Sequence, residues 1–282
     1  MKPSEVLFLA GDVKRLGSVK IRCREIASRL GCDCFYGARS AQDVPRGYKA
    51  FLCVKPDFSY EEVREVANKG LVIWDIIDAQ PPQKHVGVYL TSTRYAAKMF
   101  SHLGQVEIIP HYHCNFENRV VPIDLRRPAY IGSAQWYPSM DGIDHDTHFV
   151  ERCSREEVAG AYLQTGIAIN MRLIPTQPNT IMTAQSVRRV DAELHVALNS
   201  GIKMINCIGF GLPSVASAEP AFMEVGKECA IFATLKDAPA AVTRLQWDHE
   251  LYTELRESCL ERRRLYDINE VVHIYRRFIR AL

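Results

Sequence analysis

The chain of 282 residues lacks an excess of charge of one sign, a long hydrophobic run and any repeated or low-complexity tract. Its 35 lysines and arginines nearly balance 33 aspartates and glutamates, so no global field favours nucleic acid or an anionic membrane as a partner. No apolar run reaches the length of a membrane span, and the N-terminal run is too short for a signal peptide. With 47% hydrophobic residues, these features predict a cytoplasmic globular protein.

Cysteine is present, but not in the arrangement of a disulfide framework. The nine cysteines are odd in number and scattered, and several lie within apolar segments such as "AFLCVK" (50–55) and "INCIGF" (205–210). This distribution is typical of buried, reduced thiols in a cytoplasmic protein. Cys32 and Cys34 form a C-x-C pair, but no second pair lies at the spacing of a zinc site, so we expect both residues in a strand.

Strand and helix patterns alternate in the first half of the chain. "EVLFLAG" (5–11) and "LVIWDIID" (71–78) are apolar runs typical of buried strands, whereas "SVKIRCREIASRLG" (18–31) has the apolar spacing of a helix. This alternation predicts β-α-β units and a parallel, doubly wound sheet of the α/β class. Ligands of such sheets bind outside the carboxyl ends of the strands. The distinctive residues at those positions are Gly11, Gly17, Asp75, Asp78 and His111.

A second alternating series follows a predicted linker. "ENRVVPIDLRRP" (117–128) is polar and twice interrupted by proline, which favours a connection between domains. "AYIGSA" (129–134) and "IAINMR" (167–172) then have the pattern of strands, with a helix predicted between them at 154–166. The end of the chain is helical, with a predicted break near 267–269. These features indicate a second α/β domain.

One segment of the second domain favours a phosphate ligand. In "SGIKMINCIGFGLPSVASAEP" (200–220), Ser200, Gly201 and Lys203 open a helix, where unpaired N–H groups and an ammonium group attract phosphate. Asn206 lies one turn further on the same face as Lys203, and the strand that follows leads to Glu219. The spacing is equally typical of a core helix that carries a surface lysine.

This segment resembles the donor-binding segment of GT-B fold glycosyltransferases, in which a K-x-x-(N/E) helix precedes "xxGxPVIAS". Other segments agree in order: "GSVKIRCREIASRLG" (17–31) resembles an N-terminal loop and helix of the family, "LVIWDIID" (71–78) resembles its "vvyDxxD" strand, and "IIPHYHCN" (108–115) resembles its "xxPhgxd" turn. The resemblance covers nearly the whole chain, although each motif alone is weak.

The resemblance implies two Rossmann-like domains that face a cleft, with a C-terminal helix that crosses back to the first domain. The acceptor domain would comprise 1–122 together with 266–282, and the donor domain 123–265. The implied reaction transfers a sugar from a nucleoside-diphosphate donor to a hydroxyl acceptor, with retention and without a metal. The sugar nucleotide is a co-substrate, and no other cofactor is expected.

The sequence also departs from the family. Many retaining members carry two glutamates eight positions apart at the donor site, whereas Leu198 and Asn206 stand at those places here. Two alternatives therefore stay open. One is a sugar-nucleotide epimerase of the same fold, and the other is a sugar-nucleotide-binding protein without catalytic activity.

The chemistry of such a transfer indicates donor contacts in three regions. Lys203 and the amides around Gly201 would neutralise the diphosphate leaving group. Arg172, just after a predicted strand, is either a second phosphate contact or a surface arginine. Gly17 and Ser18 could bring backbone amides to the donor or the acceptor. Arg22 lies one turn further, where most arginines are solvated.

Three residues are candidates for catalysis. Asp75 and Asp78 close a predicted buried strand, and one of them could orient the acceptor hydroxyl or act as a general base if the enzyme inverts. Asp78 could equally cap the loop that follows. His111 is either a contact of the sugar or leaving group or a loop histidine with a structural function.

Two charged segments carry weaker indications. "DGIDHDTH" (141–148) is rich in aspartate and histidine, but its spacing matches no metal site, so we expect a solvated loop and no metal. The basic segments "ERRR" (261–264) and "RRFIR" (276–280) are either the outer face of helices or a surface for a polyanionic acceptor such as DNA or an acidic glycan. The acceptor is otherwise open, and a glycan, a small molecule or a modified DNA base would each provide the hydroxyl.

Overall fold

The chain divides into two compact units, which are described separately below. The computed structural model describes residues 1–11, 19–77, 84–150, 153–172, 179–183, 186–190, 194, 196 and 198–282. Unit 1 contains Met1–Pro110, Val271–Leu282 and the described residues within 175–200. Unit 2 contains the described residues of His111–Ile174 and Gly201–Glu270. The first division therefore falls at Pro110, earlier than the predicted linker at 117–128.

Unit 1 contains a six-stranded parallel sheet in the order β2-β1-β3-β4-β5-β6. Its strands are β1 (Val6–Ala10), β2 (Asp33–Tyr36), β3 (Ala50–Val54), β4 (Leu71–Asp75), β5 (Val88–Thr91) and β6 (Gln105–Ile108). β1 and β3 are buried along their whole length, as expected of strands covered on both faces. β2 is an edge strand that pairs with β1 alone.

Helices connect these strands, and their ends follow local sequence signals. A π-helical stretch (Lys20–Glu25) continues into α1 (Ile26–Leu30), which ends at Gly31 in the left-handed conformation. α2 (Tyr60–Ala67) begins with a capping box in which Ser59 accepts from the amide of Glu62. α3 (Arg94–Phe100) is capped by Thr93.

Unit 2 contains a five-stranded parallel sheet in the order β13-β12-β9-β7-β8. Its strands are β7 (Pro128–Gly132), β8 (Asp146–Phe149), β9 (Ile167–Asn170), β12 (Ser214–Ala216) and β13 (Ala230–Phe232). A separate antiparallel pair, which belongs to unit 1, consists of β10 (Asn179–Thr183) and β11 (Ser186–Val190). The sequence analysis did not predict this pair.

The helices of unit 2 include those predicted at 154–166, after Ser200 and at the end of the chain, whereas the helix at 220–226 was not predicted. They are α4 (Arg155–Leu163), α5 (Ile202–Phe210), α6 (Pro220–Gly226), α7 (Ala238–Trp247) and α8 (His249–Arg262). A 3-10 turn (Arg263–Tyr266) separates α8 from the last helix, α9 (Ile268–Ala281), close to the predicted break. Val271 and the residues after it belong to unit 1, where the ring of Tyr275 packs on Phe8.

The predicted α/β class is confirmed by these two parallel sheets with their helices, an architecture compatible with Rossmann-like domains. Each unit buries its own apolar core. In unit 1 the core includes Leu7, Phe51 and Trp74, and in unit 2 Ile169 and Val215 are fully buried. Within the part of the chain that is described, the helices are too short or too polar to cross a membrane.

Candidate functional site

The carboxyl edge of the unit 2 sheet contains a topological switch point. After β7 the chain forms β8 on one side of it, and then returns to form β9 on the other side. The connections after β7 and β9 therefore leave the sheet in different directions, and ligands of open α/β sheets bind in the crevice that this creates. Ser133 follows β7 and Arg172 lies two residues after β9. The switch point is thus the place where unit 2 is best suited to hold a ligand.

Lys203 brings a positive charge to the end of β7. Its Nζ donates a hydrogen bond to the Oη of Tyr130 over 3.1 Å and lies 4.2 Å from the centroid of that ring. The Oη of Tyr130 in turn donates to the carbonyl oxygen of Ser133 over 2.9 Å. Tyr130 is fully buried, whereas Lys203 is partly exposed. The buried phenol therefore holds the ammonium group at the switch point while leaving part of the side chain in reach of solvent.

Gly132, the last residue of β7, provides the space that Lys203 occupies. A Cβ atom at this position would lie 2.3 Å from the Nζ of Lys203 and 2.9 Å from the Oη of Tyr130. Both distances are shorter than real contacts of a Cβ atom, so a larger residue would displace the ammonium group. The sequence analysis did not single out Gly132, since a glycine at the end of a strand is common.

Glycines set both ends of α5, which carries Lys203. Gly201 precedes the helix with φ of 65°, and Gly211 follows it with φ of 64°. Residues other than glycine rarely adopt this left-handed backbone conformation. A Cβ atom on Gly201 would also lie 3.3 Å from the carbonyl oxygen of Ala221. The prediction that a helix begins at 200–203 and ends in a glycine turn is confirmed. Lys203 is thereby placed in the first turn, where the helix dipole favours anions.

Arg172 and Glu219 form an ion pair at the same edge of the sheet. The Nε of Arg172 lies 3.6 Å from the Oε1 of Glu219, which accepts a hydrogen bond from the Oγ of Ser217 over 2.9 Å. Glu219 is 2% exposed. The Arg172 guanidinium also lies 5.7 Å from the ring centroid of Trp136. Glu219 therefore offsets part of the charge of Arg172.

Aromatic rings surround Tyr130 on the side of β8. Tyr137 packs edge-on against Tyr130 at 5.0 Å and against Phe149 at 5.8 Å between centroids. The Oη of Tyr137 is hydrogen-bonded to the Nε2 of His145 over 2.9 Å. Phe149 is 45% exposed, so the cluster presents an apolar ring to solvent beside the switch point. The sequence analysis placed His145 in a solvated loop and missed this packing, because it depends on contacts between strands.

Asn206 is engaged inside unit 2. It is 8% exposed, and its Oδ1 accepts a hydrogen bond from the amide of Cys114 over 2.9 Å. The side chain thus fixes the segment that contains His111, which is itself 2% exposed. Both donor contact by Asn206 and catalysis by His111 stay predictions.

In unit 1, Arg22 and Asp75 form a buried ion pair. The guanidinium donates from Nε to Oδ2 over 2.7 Å and from Nη2 to Oδ1 over 2.9 Å. Its Nη1 donates to the carbonyl oxygens of Ile109 over 2.8 Å and of Pro110 over 3.2 Å. Arg22 is 1% exposed and Asp75 2% exposed. This bidentate pair joins the first helical segment to the carboxyl ends of β4 and β6.

Tyr275 of α9 packs against this ion pair. The Cζ of Arg22 lies 5.8 Å from the centroid of the Tyr275 ring. Tyr275 is fully buried, and its hydroxyl has no hydrogen-bond partner among the described residues. Burial raises the pKa of Tyr275, so the phenol stays neutral beside Asp75.

The described residues thus place the predicted site residues in two groups. Gly201, Lys203, Arg172 and Glu219 belong to unit 2, together with Asn206 and His111, whereas Arg22 and Asp75 belong to unit 1. Gly17, Ser18 and Asp78 lie outside the described residues. Among the residues that are described, no cluster of three or more histidine, cysteine or acidic side chains could hold a metal ion.

Comparisons with known proteins assign no family. No family model matches the sequence, and none of the curated proteins gives a match. Any inference of function therefore depends on the site residues and on the resemblance of sequence segments to known motifs.

Proposed function

We propose that this protein is a glycosyltransferase of the GT-B fold, which moves a sugar from a nucleoside diphosphate to a hydroxyl acceptor. The proposal rests on one observation above all. The Lys203 ammonium is held by Tyr130 over the glycine that ends β7, at the switch point of the unit 2 sheet. A diphosphate bound there would meet a positive charge that is already oriented before the ligand arrives.

The surroundings of Lys203 support an anionic ligand. The ammonium group lies in the first turn of α5, whose dipole adds to its positive charge. Arg172 stands at the end of the neighbouring strand β9 and supplies a second positive charge if a phosphate displaces Glu219. In a sugar transfer without a metal, these groups would stabilise the charge that develops on the departing diphosphate. The donor is the co-substrate, and Lys203 is its main contact in this proposal.

Replacing Lys203 by glutamine should weaken the binding of nucleoside diphosphates about tenfold to thirtyfold, because a hydrogen bond to a charged group contributes about 1.5–2 kcal/mol. Glutamine retains a polar chain of similar reach but removes the charge. Isothermal titration with UDP, GDP, ADP and CDP measures the effect. Lys227→Gln is the matched control, since Lys227 is exposed and precedes β13 at the opposite edge of the sheet.

The titration has two outcomes that contradict the proposal. The first is that none of the four nucleotides binds to the unaltered protein. The second is that Lys203→Gln and Lys227→Gln bind a nucleotide as well as the unaltered protein does, which would show that the ammonium group does not contact it.

A protein that binds a sugar nucleotide without transferring it is the second candidate, and a structural observation favours it. At the two places where many retaining enzymes carry glutamate, Leu198 is 3% exposed and packs in the core of unit 1, and Asn206 bonds to the amide of Cys114. Neither residue supplies a carboxylate. Incubation with sugar nucleotides alone distinguishes the candidates, because slow hydrolysis indicates a transferase and an altered sugar indicates an epimerase. An unchanged donor that nevertheless binds indicates a binding protein.

The acceptor is the least determined part of the proposal. The basic residues of 261–264 and 276–280 leave nucleic acid or an acidic glycan open as acceptors, beside other hydroxyl compounds. A screen of acceptors with the donor that binds most tightly would narrow this choice.

A further inference from the structure

Two thiols lie next to each other in unit 1, outside the proposed site. The Sγ atoms of Cys23 and Cys34 are 3.7 Å apart, and Cys34 also lies 4.0 Å from the carbonyl oxygen of Cys23. Cys23 is fully buried in the π-helical stretch, whereas Cys34 is partly exposed on β2. We propose that Cys23 and Cys34 are a redox modification site, in which a peroxide converts the two thiols into a reversible disulfide.

Formation of the disulfide requires only a small movement of the two sulfur atoms. Disulfide formation would shorten the distance between the sulfur atoms from 3.7 Å to about 2 Å. Cys34 lies on the edge strand β2, which is hydrogen-bonded to β1 alone, with Cys34 opposite Phe8. An edge strand can move toward the helix without breaking a second ladder. The sequence analysis expected reduced thiols here, and the proposal keeps that state as the resting one.

Cys34 is the better nucleophile of the pair. Hydrogen bonds from the Cys23 thiol and from Tyr36, with help from the charge of Arg24, lower the pKa of Cys34 to about 7 against the effect of its burial. The pKa of Cys23 is raised, first by its hydrogen bond to Cys34 and then by burial. Burial also raises the pKa of the neighbouring Cys32 to about 12. Cys34 would thus react first, and Cys23 would resolve the product.

The reaction balances with peroxide as the oxidant. The Cys34 thiolate attacks one peroxide oxygen and breaks the O–O bond, which yields a sulfenic acid and, after protonation, one water. The Cys23 sulfur then attacks the Cys34 sulfur, the S–O bond breaks, and the departing hydroxide takes the Cys23 proton as a second water. Two thiols have lost two electrons, and hydrogen peroxide has gained them.

The site adjoins the buried ion pair of unit 1. Cys23 follows Arg22 directly in the chain, and Arg22 holds Asp75 and the carbonyl oxygens of Ile109 and Pro110. The modification would therefore occur in the helical segment that carries the Arg22–Asp75 ion pair.

The chain offers controls of its own. Cys229 and Cys259 are a second neighbouring pair, but both are 0% exposed, so peroxide should leave them reduced in the folded protein. Cys153 is exposed and reports whether the reagent reaches a surface thiol. Cys32 is the competing partner, because it is separated from Cys34 by one residue.

The test treats the folded, full-length protein with hydrogen peroxide, alkylates the remaining thiols and maps disulfides by mass spectrometry without reduction. We expect a peptide pair linked through Cys23 and Cys34, which dithiothreitol removes. Cys32→Ser should form it as well as the unaltered protein does, and Cys34→Ser should abolish it. The proposal is overturned if Cys34 links to Cys32, if the Cys23–Cys34 link forms only in denaturant, or if Cys34 stops at the sulfenic or sulfinic acid.

Discussion

Replacing Asp75 by alanine is expected to lower the free energy of unfolding by about 3–5 kcal/mol, because the buried Arg22 guanidinium would lose its counter-charge. Arg22 is 1% exposed and directs two of its nitrogens at the Asp75 carboxylate. At this depth the guanidinium has little access to solvent that could take the place of the missing oxygens. The two carbonyl oxygens that Nη1 contacts, on Ile109 and Pro110, do not neutralise the charge.

The measurement uses denaturant unfolding followed by the emission of Trp74, which precedes Asp75 in β4 and is 9% exposed. Trp136 and Trp247 are replaced by phenylalanine so that only unit 1 is observed. Glu65→Ala is the control, since Glu65 is exposed on α2 and its loss should change stability by less than about 0.5 kcal/mol. An effect of Asp75→Ala as small as that of the control would show that the ion pair is not buried as described.

A paired substitution separates the charge effect from a packing effect. If the cost arises from an unpaired guanidinium, Arg22→Met combined with Asp75→Leu should be much less destabilising than Asp75→Ala alone, because the double variant buries no charge. If the double variant is as unstable as the single one, the pair stabilises the protein through its side-chain packing and its hydrogen bonds to the backbone, and not through charge neutralisation.

The ion pair also bears on the predicted catalytic function of Asp75. Both of its oxygens accept hydrogen bonds from one guanidinium, so the carboxylate has a structural function in unit 1. To act as a general base, Asp75 would have to be released by Arg22, which would leave two buried charges unpaired. A variant with Asp75 replaced by asparagine that keeps its stability but loses activity would favour catalysis over structure.

Local sequence signals predict much of the fold. Short apolar runs such as "EVLFLAG" and "LVIWDIID" became β1 and β4, and the glycines at 201 and 211 mark the ends of α5. These features could be predicted because each depends on residues that are close together in the chain. The signals are the alternation of strands and helices, the capping side chains and the left-handed glycines. Strand order and the switch point of unit 2 do not follow from such signals.

The contacts that define the candidate site are of longer range. Tyr130 and Lys203 are 73 residues apart in the chain, and nothing in the spacing of either one indicates the other. Arg22 and Asp75 were each considered for function, but their pairing was not predicted, because arginines on helices are usually solvated. The π-helical stretch around Cys23 likewise has no sequence signal that distinguishes it from an α-helix. In these places tertiary packing decides the structure.

His113 shows what such packing implies for stability at acid pH. The ring is 0% exposed and packs against Gly209, where a Cβ atom would lie 2.5 Å from the Cγ of the histidine. Neither ring nitrogen has a hydrogen-bond partner among the described residues, although the backbone amide donates to the carbonyl oxygen of Tyr266 over 3.0 Å. Burial, followed by the charge of Arg263, lowers the pKa of His113 to about 4, and Asp267 opposes the shift.

Lowering the pH from 7 to 4 should therefore remove up to about 3 kcal/mol of stability through His113 alone. An exposed histidine in the unfolded chain takes up a proton near pH 6.5, whereas the folded protein resists protonation until about pH 4. The unfolded state thus binds more protons than the folded state between about pH 6.5 and pH 4. The contribution of His113 to the free energy of unfolding is therefore complete above this range, decreases as the pH falls through it, and is constant below it. His113→Phe retains a ring without a titrating group. Urea unfolding of both proteins between pH 4 and 7.5 gives the His113 contribution as their difference. Curves that stay parallel over the whole range would mean that His113 is protonated as readily in the folded protein as in the unfolded chain.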